Sequence, residues 1–328
     1  MARGYLGIDA GTQGMSVVFA DESLQVLAVG EGGYEMVAGL DEGCYEQRPA
    51  DWLEALQTAM SDLRSQLPDG ESIDVLAIGI SGQMHGEVLC DAVGTPLAAA
   101  RLWCDARNES EGDELTKLLG KKMPKRLTAA RWLWTLRHQP ERAAATQHIT
   151  TPAGWLAFQL TGEWNLGIGD AAGMFPMDQD TLDYDEASLA AFDQLTDGQG
   201  VPPLRQLLPQ VRSAGEEAGQ LTATGGSLLG LAAGIAVAAA EGDQPAALAG
   251  SLIGDAGMVS ISFGTSVCAN SVGDRPFQGV SPIVDHFCAP DGKPINMVFL
   301  RNGTTFMNTI VEMFGKSGEV ADAFAEVM

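Results

Sequence analysis

Short β-branched apolar runs ending in glycine-rich turns alternate along this chain with longer stretches of helical spacing, a pattern that predicts a mixed α/β protein. Tyr5 to Ala20 reads as strand, Gly-rich turn and strand, and a third strand from Val26 to Gly30 makes an antiparallel meander. Pro49 to Leu67 places Trp52, Leu53, Leu56, Met60 and Leu63 on one helical face, and Pro68-Asp69-Gly70 ends it. Val75 to Ile80 is a buried strand that runs into Ser81-Gly82-Gln83-Met84-His85-Gly86, and Val88 to Cys90 continues as strand. Helical spacing returns from Asn108 to Leu119, from Thr128 to His138 and from Trp155 to Leu160, with Leu189 to Phe192 in another short helix. Between these elements, Lys121 to Arg126 reads as a solvated basic loop, Gly169 to Gly173 as a small-residue loop and Ser213 to Thr224 as loop-rich surface.

The stretch Ala240-Glu241-Gly242-Asp243-Gln244-Pro245 joins the apolar run Ile235 to Ala239, a buried strand, to an Ala-rich helix from Pro245 to Leu252. Asp243 therefore stands at a strand-to-helix turn, where unpaired amides and the helix dipole favour an anion. It is either an N-cap or an acid that takes a proton from a hydroxyl attacking a phosphate. Farther on, Met258 to Asn270 repeats the strand, Gly-Thr turn and strand of Leu6 to Ala20. Two such hairpins facing across a cleft would clamp one polyphosphate from both sides. Gly11, Thr12 and Gln13 would form the first loop, with Asp9 at its edge where a magnesium ion would sit. The alternative for that turn is a tight hairpin whose Asp and Thr only satisfy its own backbone. Val298 to Phe314 and Ser317 to Met328 finish the chain with an Asn302-Gly303 turn and helix-like periodicity.

Charge narrows the partners. With 19 Lys and Arg against 43 Asp and Glu, the formal net charge of −24 repels nucleic acid and anionic membranes. Any phosphate site must therefore rely on local amides and a metal ion. Five cysteines without a C-x-x-C pair, and no apolar leader, point to reduced thiols in a cytoplasmic protein.

The motifs Gly7-Ile8-Asp9-x-Gly11-Thr12-x-Gly14, Gly82-Gln83-Met84-His85-Gly86, Leu102-Trp103-x-Asp105-x-Arg107, Leu160-Thr161-Gly162-Glu163, Gly242-Asp243-Gln244 and Ser262-x-Gly264-Thr265-Ser266 occur in one order. Together they resemble the FGGY carbohydrate kinases, and the Gln-Met-His-Gly loop looks most like the xylulokinase branch. The resemblance implies an α/β, actin-like and ribonuclease-H-like duplicated ATPase fold. Residues 1–244 would form the N-terminal domain and 245–328 the start of a C-terminal one. It implies ATP-dependent phosphorylation of a ketose, D-xylulose to D-xylulose 5-phosphate in the first instance, with Mg2+. Another ketose or a polyol is the alternative, as is a sugar-binding module without turnover. An actin- or Hsp70-like ATPase would not need the Gln-Met-His-Gly loop.

By the same resemblance Asp243 is the catalytic base and Asp9 the metal-associated acid. Gln83, Met84, His85 and Gln244 contact the sugar, and Gly11, Thr12, Gln13, Gly264, Thr265 and Ser266 the nucleotide. A homodimer is compatible with this reading. Three departures bear on which sugar is used. Ala240-Glu241 stands for the usual glycines, which puts a carboxylate beside the base. Cys104 and Ala106 stand for Asn and Gly, and Lys125-Arg126-Leu127-Thr128 for Pro-Gly-Phe-Thr. No counterpart of the family's Gly-rich adenine motif follows, so the second domain is expected to be incomplete and the chain truncated.

Overall fold

The computed structural model describes residues 2–68, 72–213, 215–263, 267–275 and 280–300, together with 309, 310 and 313. The glycine-rich pattern of the first 33 residues folds as the expected meander. It comprises β1 (Ala2–Ala10), β2 (Gly14–Asp21) and β3 (Val26–Gly33), in antiparallel register. Four more strands complete this sheet: β4 (Ile73–Gly82), β5 (Glu217–Gln220), β6 (Ala236–Ala238) and β7 (Glu241–Gly242). The order is β5-β6-β4-β1-β2-β3, with β7 also on β4. β4 is thus flanked by parallel strands on both sides, β1 on one and β6 and β7 on the other. A strand buried between neighbours reads as a continuous apolar run, as Val75 to Ile80 does.

Alternation along β1 and β2 turns Leu6, Ile8, Met15, Val17 and Phe19 inward, and helix Pro49–Ser65 covers them with Trp52, Leu56, Met60 and Leu63. A second sheet has the order β8 (Val259–Phe263), β9 (Val267–Val272), β11 (Pro294–Leu300), β10 (Val284–Cys288), all antiparallel. β8 and β9 are the two strands of the expected repeat. The turn between them, Gly264 to Ser266, lies outside the described residues, as do the Asn302-Gly303 turn and Ser317 to Met328. Among the described residues no helix is long and apolar enough to cross a membrane.

Four local expectations are corrected. Gly169 to Gly173 is not a loop but falls largely in helix Ile168–Ala172, which packs against β10. Ser213 to Thr224 contains β5, a strand because β6 supplies its partner rather than because its own pattern alternates. Val298 to Leu300 is strand, bound to β9, not the start of a helix. The Ala-rich helix begins at Asp243, with Gly242 as its cap, and ends at Gly250.

Outside the two sheets lies a buried ion pair. The Arg101 guanidinium donates from Nε to Glu87 at 2.9 Å and from Nη2 to the Arg131 carbonyl at 2.9 Å, with Thr135 also in contact. The two side chains are 1% and 3% exposed, and Trp134 lies over the guanidinium at 4.5 Å. Removing one member strands the other charge in a dry site, which costs about 3–5 kcal/mol. Arg101→Met should accordingly lower unfolding free energy by about that amount in a denaturant titration. A loss below about 1 kcal/mol would mean that Glu87 finds another partner or water.

Candidate active site

The C-terminal end of β4 brings three segments together. Ser81 is the register partner of Asp9 on β1 and of Glu241 on β7. Its hydroxyl donates to Asp9 Oδ1 at 2.6 Å. Two residues beyond Glu241, Asp243 opens its helix with Oδ1 accepting the Gln244 amide at 2.7 Å and with a further bond from the Met84 amide. It does not cap the helix: it is the first helical residue, and the cap is Gly242. Burial, together with the charge of Asp9, pushes the Asp243 carboxyl up to about 6 despite those amide bonds.

Gly242 is required by contact. A Cβ there would lie 2.4 Å from Met84 Cγ, so the chain before Asp243 can approach the Met84 loop only without a side chain. His85 follows with a left-handed backbone (φ 65°), held by Thr128 Oγ1 and Arg131 Nη1, both donating to its carbonyl. Burial first, then the nearby Arg126 charge, keeps its imidazole well below the ordinary histidine range, so it is neutral. Nδ1 lies 2.9 Å from the Gly173 carbonyl, which can only accept, so Nδ1 carries the proton. Nε2 is left as an acceptor.

The first loop is braced from behind. The Tyr34 hydroxyl meets the Gly11 and Gly14 carbonyls, 2.9 Å from the latter. Gln47 Nε2 donates to the Thr12 carbonyl at 2.8 Å, and Trp103 Nε1 to Thr12 Oγ1 at 3.0 Å. Gln83 is buried beneath this loop, where it donates to Gln47 Oε1 at 2.9 Å. Gln13 is exposed at the tip.

A cavity of about 250 Å³ opens here, lined by Thr12, Met84, His85, Asp243 and Gln244 and, from the second sheet, by Ser262, Cys268, Met297 and Phe299. Gln83 and Gln13 are not among its lining residues. Asn270 on β9 donates to Gln244 Oε1 at 3.4 Å. Trp103 and Arg126 complete the wall. Neither stands out as a binding residue from local pattern alone, although Trp103 falls in the Trp-x-Asp-x-Arg motif. The rest of that motif is structural, since Asp105 and Arg107 pair with one another and Arg107 reaches Glu46 at 2.6 Å. The basic run is not a solvated loop either: Lys122 and Arg126 both engage the buried Asp285 of β10.

Residues 4–250 match the model of the FGGY family of carbohydrate kinases, N-terminal domain. The chain belongs to the FGGY family of carbohydrate kinases. It is 28% identical over 338 residues to a xylulose kinase of Haemophilus influenzae, covering 98% of this chain and 67% of that protein. To a xylulose kinase of Escherichia coli it is 31% identical over 292 residues, covering 87% and 57%. The crystal structure of a xylulose kinase from Rhodospirillum rubrum superposes with a TM-score of 0.85 at 19% identity, covering 98% and 65%, a likeness of fold. The chain thus spans between 57% and 67% of the length of these relatives. The FGGY architecture here is the α/β, actin-like and ribonuclease-H-like one that the motifs imply.

Within that family frame Glu241 has a local explanation. Its carboxylate does not line the cavity beside Asp243. It turns into a niche against Gly167 and Gly169, where added Cβ atoms would lie 2.0 and 2.5 Å from its oxygens, and accepts the Asp170 amide at 3.1 Å. Burial pushes its carboxyl up to about 7.

The raised carboxyl of Asp243 makes a stability prediction of definite sign. Its folded value of about 6 exceeds the ordinary 3.8. The proton is therefore held more tightly in the folded state, and stability falls as pH rises through that interval. Asp243→Asn should melt higher than the parent at pH 7.5, by on the order of 1–2 kcal/mol after allowing for partial exposure, and equally at pH 4. Equal melting at pH 7.5 would show that Asp243 is solvated as in the unfolded chain.

Proposed function

We propose that this chain binds an open-chain ketose, D-xylulose in the first instance, and takes part in its phosphorylation by ATP to the 5-phosphate. The observation that carries the reading is the meeting of Asp243 and the Met84-His85 loop around one cavity, with Asp9 beside Ser81 at the same end of β4 and close enough for its charge to act on Asp243. Xylulose kinases of known sequence being 28% and 31% identical relatives supports the choice of sugar. Residues 1–244 are read as the domain carrying sugar site, base and first phosphate loop, and 245–328 as the start of the C-terminal domain.

In this reading the sugar hydroxyl attacks the γ-phosphorus, its proton passes to the Asp243 carboxylate, and the bond to the ADP oxygen breaks. A carboxyl near 6 is ionised at neutral pH yet basic enough to take that proton. His85 Nε2 accepts from a sugar hydroxyl, Met84 packs on the carbon chain, and Gln244 is held for contact by Asn270. The donor set suits a hard cation. Asp9 keeps Oδ2 on the side of Gly11, and among the described residues no cluster of three His, Cys, Asp or Glu could hold a metal by itself. Mg2+ would thus be held by Asp9 together with phosphate oxygens. When bound, it supplies charge neutralisation on the phosphates.

A coupled ADP-release assay over pentuloses, hexuloses and polyols tests the substrate. D-xylulose should give the highest kcat/KM, and a hexulose or polyol in its place would overturn that choice while leaving the reaction class. In the same assay Asp243→Asn should lose roughly 10²–10⁴-fold in sugar-dependent turnover with sugar binding retained. Near-parental turnover would remove it as the base. Asp9→Ala should weaken Mg2+-dependent nucleotide binding and leave sugar affinity within about twofold, since it acts on the phosphates rather than the sugar. Equal loss of both affinities, titrated separately, would make Asp9 a support of the fold instead.

A further inference from the structure

The phosphoryl-transfer chemistry leaves one cation of the cavity wall unused. Arg126 lies just ahead of helix Thr128–His138, and its side chain crosses to the second sheet, where Nη2 pairs with Asp285 Oδ2. Lys122 Nζ approaches the other oxygen of the same carboxylate at 2.9 Å. Asp285 is 4% exposed, so two cations share one buried anion in a chain whose net charge is −24. Arg126 Nε has no hydrogen-bond partner among the described residues. The guanidinium carbon lies over the Phe287 ring, 5.6 Å from its centroid.

Burial lowers the Arg126 pKa to about 10, which still leaves a cation at neutral pH. Cys268 is within electrostatic reach of both Arg126 and Asp243, so guanidinium and base serve one cavity. A guanidinium that shares its one carboxylate partner with a second cation is satisfied best by a further strong, planar acceptor. A carbonyl or carboxylate oxygen is one, and a hydroxyl, which must also place its own proton, is a poorer one.

We propose that Arg126 is a specificity-determining residue that donates to an sp² oxygen of an open-chain sugar, and so favours a ketose or an aldonate over the matching polyol. The inference rests on the sugar-kinase reading and specifies which oxygen chemistry that site selects. Arg126 also spans the two walls through Asp285, so the competing account is that it only holds them together.

Equilibrium titration calorimetry without nucleotide separates these. D-xylulose, D-xylonate and xylitol are titrated into the parent chain, Arg126→Met, Arg126→Lys and Asp285→Asn, each checked for a cooperative melt. Arg126→Met should weaken D-xylulose or D-xylonate about tenfold or more and xylitol by less than about threefold. Which of the two loses more identifies the carbonyl or the carboxylate as the oxygen read. Arg126→Lys, which keeps the charge but not the planar fork, should fall between, and it carries the test if the Met variant does not fold. Asp285→Asn should keep the parental order of preference. Equal losses for all three sugars, or an Asp285→Asn pattern matching Arg126→Met, overturns the proposal in favour of a purely bridging role. Absence of binding by the parent to any of the three would remove the sugar-kinase reading itself, and the inference with it.

Discussion

Everything at this site depends on the parallel register that sets Ser81 between Asp9 and Glu241. Two strands join the same central strand from opposite sides, so residues more than 230 apart in the chain deliver carboxylates to one sheet end. Such an arrangement is unfavourable by itself: burial and the Asp9 charge both act against ionising Asp243. The same opposition brings its carboxyl near the working range of a general base. In the proposed function, a cation and a sugar hydroxyl are the partners that would relieve it.

Positioning is supplied by side chains that carry no chemistry. Tyr34, Gln47, Gln83 and Trp103 come from four separate segments and converge behind the Gly11–Thr12 turn, leaving its outer face to a ligand. Gln47 is itself held in place, since Trp52 Nε1 donates to its side-chain Oε1 at 3.1 Å. The opposite wall is a second sheet, tied across the cavity by Asn270 to Gln244 and by Asp285 to Arg126.

Family membership and local chemistry meet at the departures from the usual motifs. Glu241, where the motif resemblance implies glycine, puts its carboxylate in a niche that two other glycines open rather than beside Asp243 in the cavity. Arg126, where the resemblance likewise implies glycine, lines the cavity. The two look alike as substitutions of a small residue by a charged one, yet one serves packing and the other faces the ligand space.

The sequence by itself determined the elements whose signal is local. The β1–β3 meander, helix Pro49–Ser65 and helix Thr128–His138 stand where periodicity puts them, because each buries a face that its own spacing defines. The ordered motifs likewise carried the family, and with it the fold and the candidates Asp9, Met84, His85, Asp243 and Gln244, which the fold gathers at one cavity or its edge. The tertiary structure alone decided what depends on partners remote in the chain. β5 is a strand only through β6, Gln83 lies beneath the Gly11–Thr12 turn only through Gln47, and Arg126 of the basic run turns to the second sheet through Asp285. Local periodicity records which face of an element is buried; it holds no record of which distant side chain will be waiting there.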